Sequence, residues 1–363
     1  MVNKILKAGL FAAASMVALS VTASPPASAA GKKLFGVSWM HFNEERWSKY
    51  DKACMLDELK KHPDWDYIGT DAQASAEKQT ADVQTLIARG VSALAIVPYS
   101  SSSIKSAAAE AVANGIPTIG YDIQVEVPGV FYLSFDNAEV GRIEARGVLA
   151  VKPEGRYVYI KGSPTMEISE FLHKGQVEVL KPAVDAGKIK IVGEQYSEGW
   201  KPEAAQTAME QILTANDNKV DAVVASNDGT AGGVVAALTE QGLVGKVPVS
   251  GQDGDIAALN RIAKGFQTVS AWKDSCNLGR TAVQVAVALA TGTAGDKIPG
   301  AKKFCQGAAH ICQDSIELTP VTITRDNLDV MTKNGWITKQ QLCAGVDAVP
   351  ETIHGKNPPP ACK

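Results

Sequence analysis

From residue 34 onward, short apolar runs alternate with longer stretches of helical composition. LFGVS (34–38), WDYIGT (65–70), ALAIVP (93–98) and IPTIGY (116–121) read as strands. Residues 44–61, 76–89 and 102–114 between them read as helices, with Gly90, Gly115 and Gly120 in the breaks. Strand and helix alternating at this spacing predict a parallel sheet with helices on both faces. The rhythm then restarts. RYVYI (156–160), KIVGE (190–194) and AVVAS (222–226) are predicted strands, and 167–184, 203–215 and 230–241 predicted helices. VPVSG leads to Asp253 as IPTIGY leads to Asp122. After Asp253 come a helix, a strand at 268–272, an Ala- and Val-rich helix at 278–290, and a long β-type run, IELTPVTIT, at 316–324. A short helical stretch follows, and the Pro-rich tail from Gly345 is expected to wrap the surface.

The pattern therefore predicts an α/β protein of two Rossmann-like, doubly wound lobes rather than one long sheet. Open parallel sheets bind ligands beyond the carboxyl ends of their strands. Asp122 and Asp253 stand at equivalent ends, as do Pro98-Tyr99-Ser100 and Asn227-Asp228. Taken singly, either aspartate is as readily a cap or a turn residue; the pair at matching positions points to a cleft.

The first residues change the picture of where the chain works. Lys4 and Lys7 precede an apolar stretch from about residue 8 to 21, and Ala27-Ser28-Ala29 has the A-x-A form of a signal peptidase site. This predicts a signal peptide over 1–29, cleavage after Ala29 and release into the periplasm. No cysteine lies near that site to carry a lipid. The whole chain has 36 basic and 39 acidic residues, a net of -3. Without Lys4 and Lys7, 34 basic face 39 acidic, a net of -5. The balance is mild and no basic run occurs, which argues against nucleic acid as a partner. With 45% hydrophobic residues there is enough apolar material for two cores.

Six cysteines in an oxidising compartment favour disulfides, with 15 possible pairings. Pairing sequence neighbours gives Cys305–Cys312 and Cys343–Cys362 and leaves Cys54 with Cys276. Zinc is the rival, but no C-x2-C spacing occurs and the five histidines are scattered. No metal or other cofactor is expected. G-x-S-x-G and phosphate-loop motifs are also missing. An enzyme using Asp122 and Asp253 as paired carboxylates is the weaker alternative.

Several segments together resemble the type I periplasmic sugar-binding proteins of ABC importers, the ribose/xylose-binding family, in its xylose-binding branch. They are EERW (44–47), IPTIGYD (116–122), YLSFDN (132–137), GQVEVLKPAVDAGKIKIVGEQ from Gly175, EGWKPE (198–203), DAVVASNDGTAGG (221–233) and VSGQDGD (249–255). The resemblance covers about 34–292. It implies three crossings between the lobes, near Asp136, Trp272 and Leu318. The lobes are then 30–136 plus 274–317 and 137–273 plus 318–344, with a tail at 345–363. It also implies a monosaccharide ligand, a pentose such as D-xylose or a relative, bound by a non-enzymatic monomer that serves a membrane permease. A sugar-sensing receptor for chemotaxis or a sensor kinase uses the same binding event. A repressor of the same fold carries a DNA-binding segment where this chain has its leader.

By the resemblance, Arg46 and Asp122 come from the first lobe, Asn227, Asp253 and Lys273 from the second lobe and its crossing, and Trp47 and Trp200 are stacking rings. Such a set suits a sugar: charged and amide groups for hydroxyls, flat rings for C–H faces. Each also has a plainer reading, as an exposed helix residue (Arg46), core (Trp200), a turn (Asn227) or surface (Lys273). The chain departs from the family pattern at Met40 and His41, where two acidic residues are expected. Ile123 stands where an arginine is expected, and 165–173 carries Met166, Glu167, Ser169 and Glu170. Glu167 or His41 is the candidate to contribute instead.

Overall fold

A computed structural model describes residues 31–350, 353 and 358–363. The predicted signal peptide and its cleavage site lie outside the described residues. In chain order the elements begin with β1 (Lys33–Trp39), a π-helical turn (Trp47–Asp51), α1 (Lys52–Leu59), β2 (Trp65–Asp71), α2 (Ala76–Ala88), β3 (Ala93–Ile96), α3 (Lys105–Ala113), β4 (Thr118–Tyr121) and β5 (Val130–Phe135). There follow α4 (Asn137–Val151), β6 (Gly155–Lys161), α5 (Ile168–Asp185), β7 (Ile189–Tyr196), α6 (Pro202–Ala215), β8 (Ala222–Ala225) and α7 (Asp228–Glu240). The last are α8 (Ile256–Lys264), β9 (Val269–Trp272), α9 (Ser275–Ala290), β10 (Lys302–Phe304), β11 (Gln313–Leu318), β12 (Val321–Thr324), α10 (Asp329–Lys333) and α11 (Lys339–Cys343).

One seven-stranded sheet has the order β10-β11-β5-β4-β3-β1-β2. All its pairings are parallel except β10 with β11. A second, parallel sheet has the order β7-β6-β8. VPVSG, the counterpart of IPTIGY, makes only single bridges. Val249 pairs with Val223 and Gln252 with Ala271, so the segment links β8 to the β9–β12 pair. IELTPVTIT is two strands, not one. Pro320 has no N–H to carry a ladder onward, and the chain leaves β5's neighbour β11 to become β12 beside β9.

Both sheets are covered on both faces, which explains their near-continuous apolar strands. Along β3 the period-two alternation sends Ala93 and Ala95 into one core, with Tyr121, Leu133 and Leu278, and Leu94 and Ile96 into another, with Val83, Leu86 and Ala107. In the second sheet Val158 and Ile160 pack with Met209 and Val234, while Tyr157 and Tyr159 pack with Val148 and Leu180. Helices α4 and α5 cross with backbones nearly touching. A Cβ on Gly141 would stand 2.0 Å from the Leu172 carbonyl oxygen, and one on Gly175 2.0 Å from that of Ala138. Only glycine fits there.

The three disulfides join Cys54 to Cys276, Cys305 to Cys312 and Cys343 to Cys362. The first ties α1 to α9, 222 residues apart in sequence. Among the described residues no helix is long and apolar enough to cross a membrane, and no cluster of His, Cys, Asp and Glu is built to hold a metal.

Candidate functional site

The carboxyl ends of strands from both sheets face one cavity of about 330 Å³. Its wall is Met40, Glu44, Arg46, Trp47, Asp122, Ile123, Ile168, Trp200, Asn227, Gln252, Asp253 and Lys273. All seven residues singled out from the sequence are therefore brought together.

Arg46 sits at the centre, 2% exposed. Residues 44–61 were expected as one regular helix, but the chain opens with the π-helical turn. In an α-helix only residues three and four apart face each other. The widened π turn brings five-apart residues together, and Arg46 and Asp51 form a two-pronged pair. Nε donates to Asp51 Oδ2 at 3.1 Å and Nη2 to Asp51 Oδ1 at 3.0 Å. The other prongs reach Asp122, at 3.3 Å from Nη2 and 3.4 Å from Nη1, and Asp253 Oδ1, at 3.0 Å from Nη1. These five bonds use all five guanidinium donors. Burial opposes the Arg46 charge, but Asp122, Asp51 and Asp253 outweigh it and hold its pKa well above the ordinary value. Asp51, which also accepts from the Tyr121 hydroxyl at 2.5 Å, is pushed upward by burial despite Arg46.

Asp122 and Asp253 follow β4 and the 249–252 segment in left-handed backbone, φ 62° and 96°. Such conformations are uncommon outside glycine, though Asp tolerates them better than most residues. Their backbone N–H groups donate to Leu133 O (2.7 Å) and Ala271 O (3.0 Å). Asp228 pins the second loop: its Oδ2 accepts from the N–H groups of Gly254 (2.9 Å) and Asp255 (3.0 Å) and from the Ser270 hydroxyl (2.8 Å). Lys273, 1% exposed just after β9, lies 2.9 Å from Asp122 Oδ1 and 3.7 Å from Asp253 Oδ1. Burial pushes the Asp122 carboxyl up, but Arg46 and Lys273 overcome it and hold the group below its usual pKa.

Asn227 is both cap and cavity wall. Its Oδ1 accepts from the Thr230 N–H at 2.8 Å to start α7, leaving the Nδ2 donors outside the cap. Trp200 is buried, so the core reading holds, but its ring also lines the cavity. It follows Gly199 in left-handed backbone (φ 60°), packs where a Cβ on Gly162 would clash, and donates from Nε1 to Met166 Sδ at 3.0 Å. Trp47 donates from Nε1 to Glu44 Oε2 at 2.8 Å, and the Arg46 guanidinium carbon lies 4.2 Å from its ring centroid.

Neither proposed substitute lines the cavity. Glu167 Oε1 accepts from the Ala308 N–H at 2.6 Å, in the loop closed by Cys305–Cys312. His41 stands behind Glu44, its Nδ1 3.0 Å from Glu44 Oε2. Sequence reasoning missed Asp51, Glu44 and Gln252. The Oε1 of Gln252 is buried without a hydrogen-bond partner, the mark of a group that awaits one. Its position directly before Asp253 was the available signal.

A family model described as periplasmic binding protein domain matches residues 35–294. The chain belongs to this family of solute-binding, non-enzymatic proteins. It is 40% identical over 273 residues to a D-xylose-binding periplasmic protein of Escherichia coli, covering 75% of this chain and 81% of the relative. A D-xylose-binding periplasmic protein of Haemophilus influenzae is 36% identical over 309 residues, covering 85% and 91%. Among solved structures, an ABC transporter solute binding protein from Clostridium phytofermentans with bound β-D-glucose superposes with a TM-score of 0.76 at 27% identity. That match covers 85% of this chain and 100% of the other.

Proposed function

We propose that this chain is the periplasmic sugar-binding component of an ABC importer and holds one monosaccharide, D-xylose or a related pentose, in the Arg46 cavity. The observation that carries the reading is the convergence of Asp122, Asn227, Asp253 and Lys273 with the two rings, Trp47 and Trp200, on one cavity. Hydroxyls take the carboxylates, the Asn227 amide and the Lys273 ammonium; the C–H faces take the indoles. Arg46 acts mainly by holding the two aspartates from opposite sheets in register. The two D-xylose-binding bacterial relatives support a pentose.

Residues 30–136 with 274–317, and 137–273 with 318–344, are the two lobes of this reading. Ligand binds the closed arrangement better than the open one and shifts the population toward it. A membrane permease then reads closure on the outer surfaces of the lobes. The chain acts as a monomer, exported with cleavage after Ala29.

A thermal-shift screen of the mature protein against pentoses, hexoses and sugar alcohols tests the assignment. At ligand one hundred times Kd, linkage adds about 2.7 kcal/mol, a clear rise in Tm. D-xylose or another pentose is expected to give the largest shift. A larger shift with a hexose replaces the pentose assignment, and no shift with any sugar overturns the sugar reading.

A further inference from the structure

One carboxylate on the cavity stands outside the Arg46 network. The two cations of the wall, Arg46 and Lys273, are committed to Asp51, Asp122 and Asp253. Glu44 pairs with neither. Its Oε2 is fixed from behind by the Trp47 indole N–H at 2.8 Å, with His41 Nδ1, which accepts from the Asn43 N–H, 3.0 Å away. Its Oε1 engages no protein group among the described residues, and the side chain, 16% exposed, lines the cavity. His41 is itself buried. Glu44 thus presents an oriented acceptor to the cavity. A carboxylate accepts and never donates, so its complement on a neutral sugar is a hydroxyl hydrogen. The neighbouring wall groups Met40, Ile123 and Ile168 offer no side-chain group that hydrogen-bonds a hydroxyl strongly.

We propose that Glu44 is a specificity-determining residue, accepting one particular hydroxyl of the bound sugar on Oε1 while Trp47 holds it in place. This rests on the monosaccharide reading above. Selection follows from the bond's directness: a sugar lacking that hydroxyl leaves a partly buried carboxylate without its donor.

The test is calorimetric titration of wild type and Glu44→Gln with D-xylose, or with whichever monosaccharide most stabilises wild type, and with the monodeoxy series of that sugar. Gln keeps an oxygen for the Trp47 N–H, so the unliganded variant is expected to melt close to wild type. The parent sugar is expected to bind E44Q about 10- to 100-fold more weakly. That factor should collapse toward one for a single deoxy analogue, the one missing the hydroxyl that Glu44 reads. If E44Q melts well below wild type, Glu44→Asp, which keeps the charge but withdraws it, must give the same analogue-specific pattern. Unchanged binding by E44Q, or one common loss for every analogue, overturns the proposal while the sugar reading stands. Wild type that binds no monosaccharide overturns both.

Discussion

Replacing Arg46 with methionine removes the one group that joins Asp51, Asp122 and Asp253. The three are not affected equally. Lys273 still lies 2.9 Å from Asp122 and 3.7 Å from Asp253, but Asp51, fully buried, keeps only the Tyr121 hydroxyl. Breaking a buried ion pair from one side costs about 3–5 kcal/mol because the remaining charge stays buried. In a chain of this size that lowers Tm by roughly 4–7 °C, against a typical stability of about 5–15 kcal/mol. The pH dependence carries the sharper test. Asp122 in wild type is held below its usual pKa, so its stabilising contribution is present above the unfolded value and lost as pH falls through the folded one. In R46M that contribution shrinks, and Asp51, already pushed up by burial, loses its counter-ion. Carboxyls with raised folded pKa values stabilise at low pH and lose that advantage as pH rises. The Tm gap between wild type and R46M should therefore be widest near pH 8 and narrow toward pH 4, measured by differential scanning fluorimetry on the unliganded proteins. Arg46→Lys, which keeps the charge but has three donors in place of five, should fall between them. A gap that stays constant over this range, or an R46M that melts within about 1 °C of wild type, would refute the network as drawn.

Two further outcomes follow from groups around the site. Glu144 is fully buried, with Gln176 Nε2 donating to its Oε2 at 2.7 Å and Oε1 unpartnered, and burial holds its pKa well above the ordinary value. Its contribution is thus fully present below the unfolded pKa and lost as pH rises; Glu144→Gln should melt with wild type near pH 4 and above it by roughly 2 °C or more near pH 8, and no gain at pH 8 would contradict a neutral Glu144. In the chain-entropy account, removing Cys54–Cys276, which spans 222 residues, costs about 5 kcal/mol, against about 2 kcal/mol for Cys305–Cys312, which spans seven. Double serine variants should show that order in Tm, and the reverse order would mean the short loop carries more than its entropy.

Much of the site was legible because it obeys a positional rule. Asp122, Asn227, Asp253 and Lys273 each follow a strand or strand-like segment, and a parallel sheet sends whatever stands there toward one edge. The strands themselves were legible from apolar runs bounded by turn residues, but a run as uniformly apolar as ALAIVP does not show which side chains go to which core; the structure splits Ala93 and Ala95 from Leu94 and Ile96. Sheet membership was not. IELTPVTIT has one composition throughout, yet its halves lie beside β5 and β9, and that division is made by partners over 40 residues away in sequence. The π-helical turn was hidden for a related reason. Residues 44–61 have ordinary helical composition, and the preference for a widened turn comes from Arg46 meeting Asp51, Asp122 and Asp253 together. Its two distant partners become neighbours only after both sheets have formed.

The same dependence on assembly separates Arg46 from Glu44. Read along the chain, Glu44-Glu45-Arg46 is a charged helix start in which any member belongs in water, and Arg46 has the appearance of the ligand-binding cation. Once folded, Arg46 has spent its five donors on carboxylates. Glu45 has gone to Lys49 on the surface, and of the three Glu44 alone lines the cavity with an oxygen left unpartnered. Hydrogen-bond capacity left over after folding, rather than charge in the sequence, decides which residue meets a ligand. By that measure the groups still open include Glu44 Oε1, Gln252 Oε1, Asp253 Oδ2 and the Asn227 amide, two of which a reading of the sequence alone passes over.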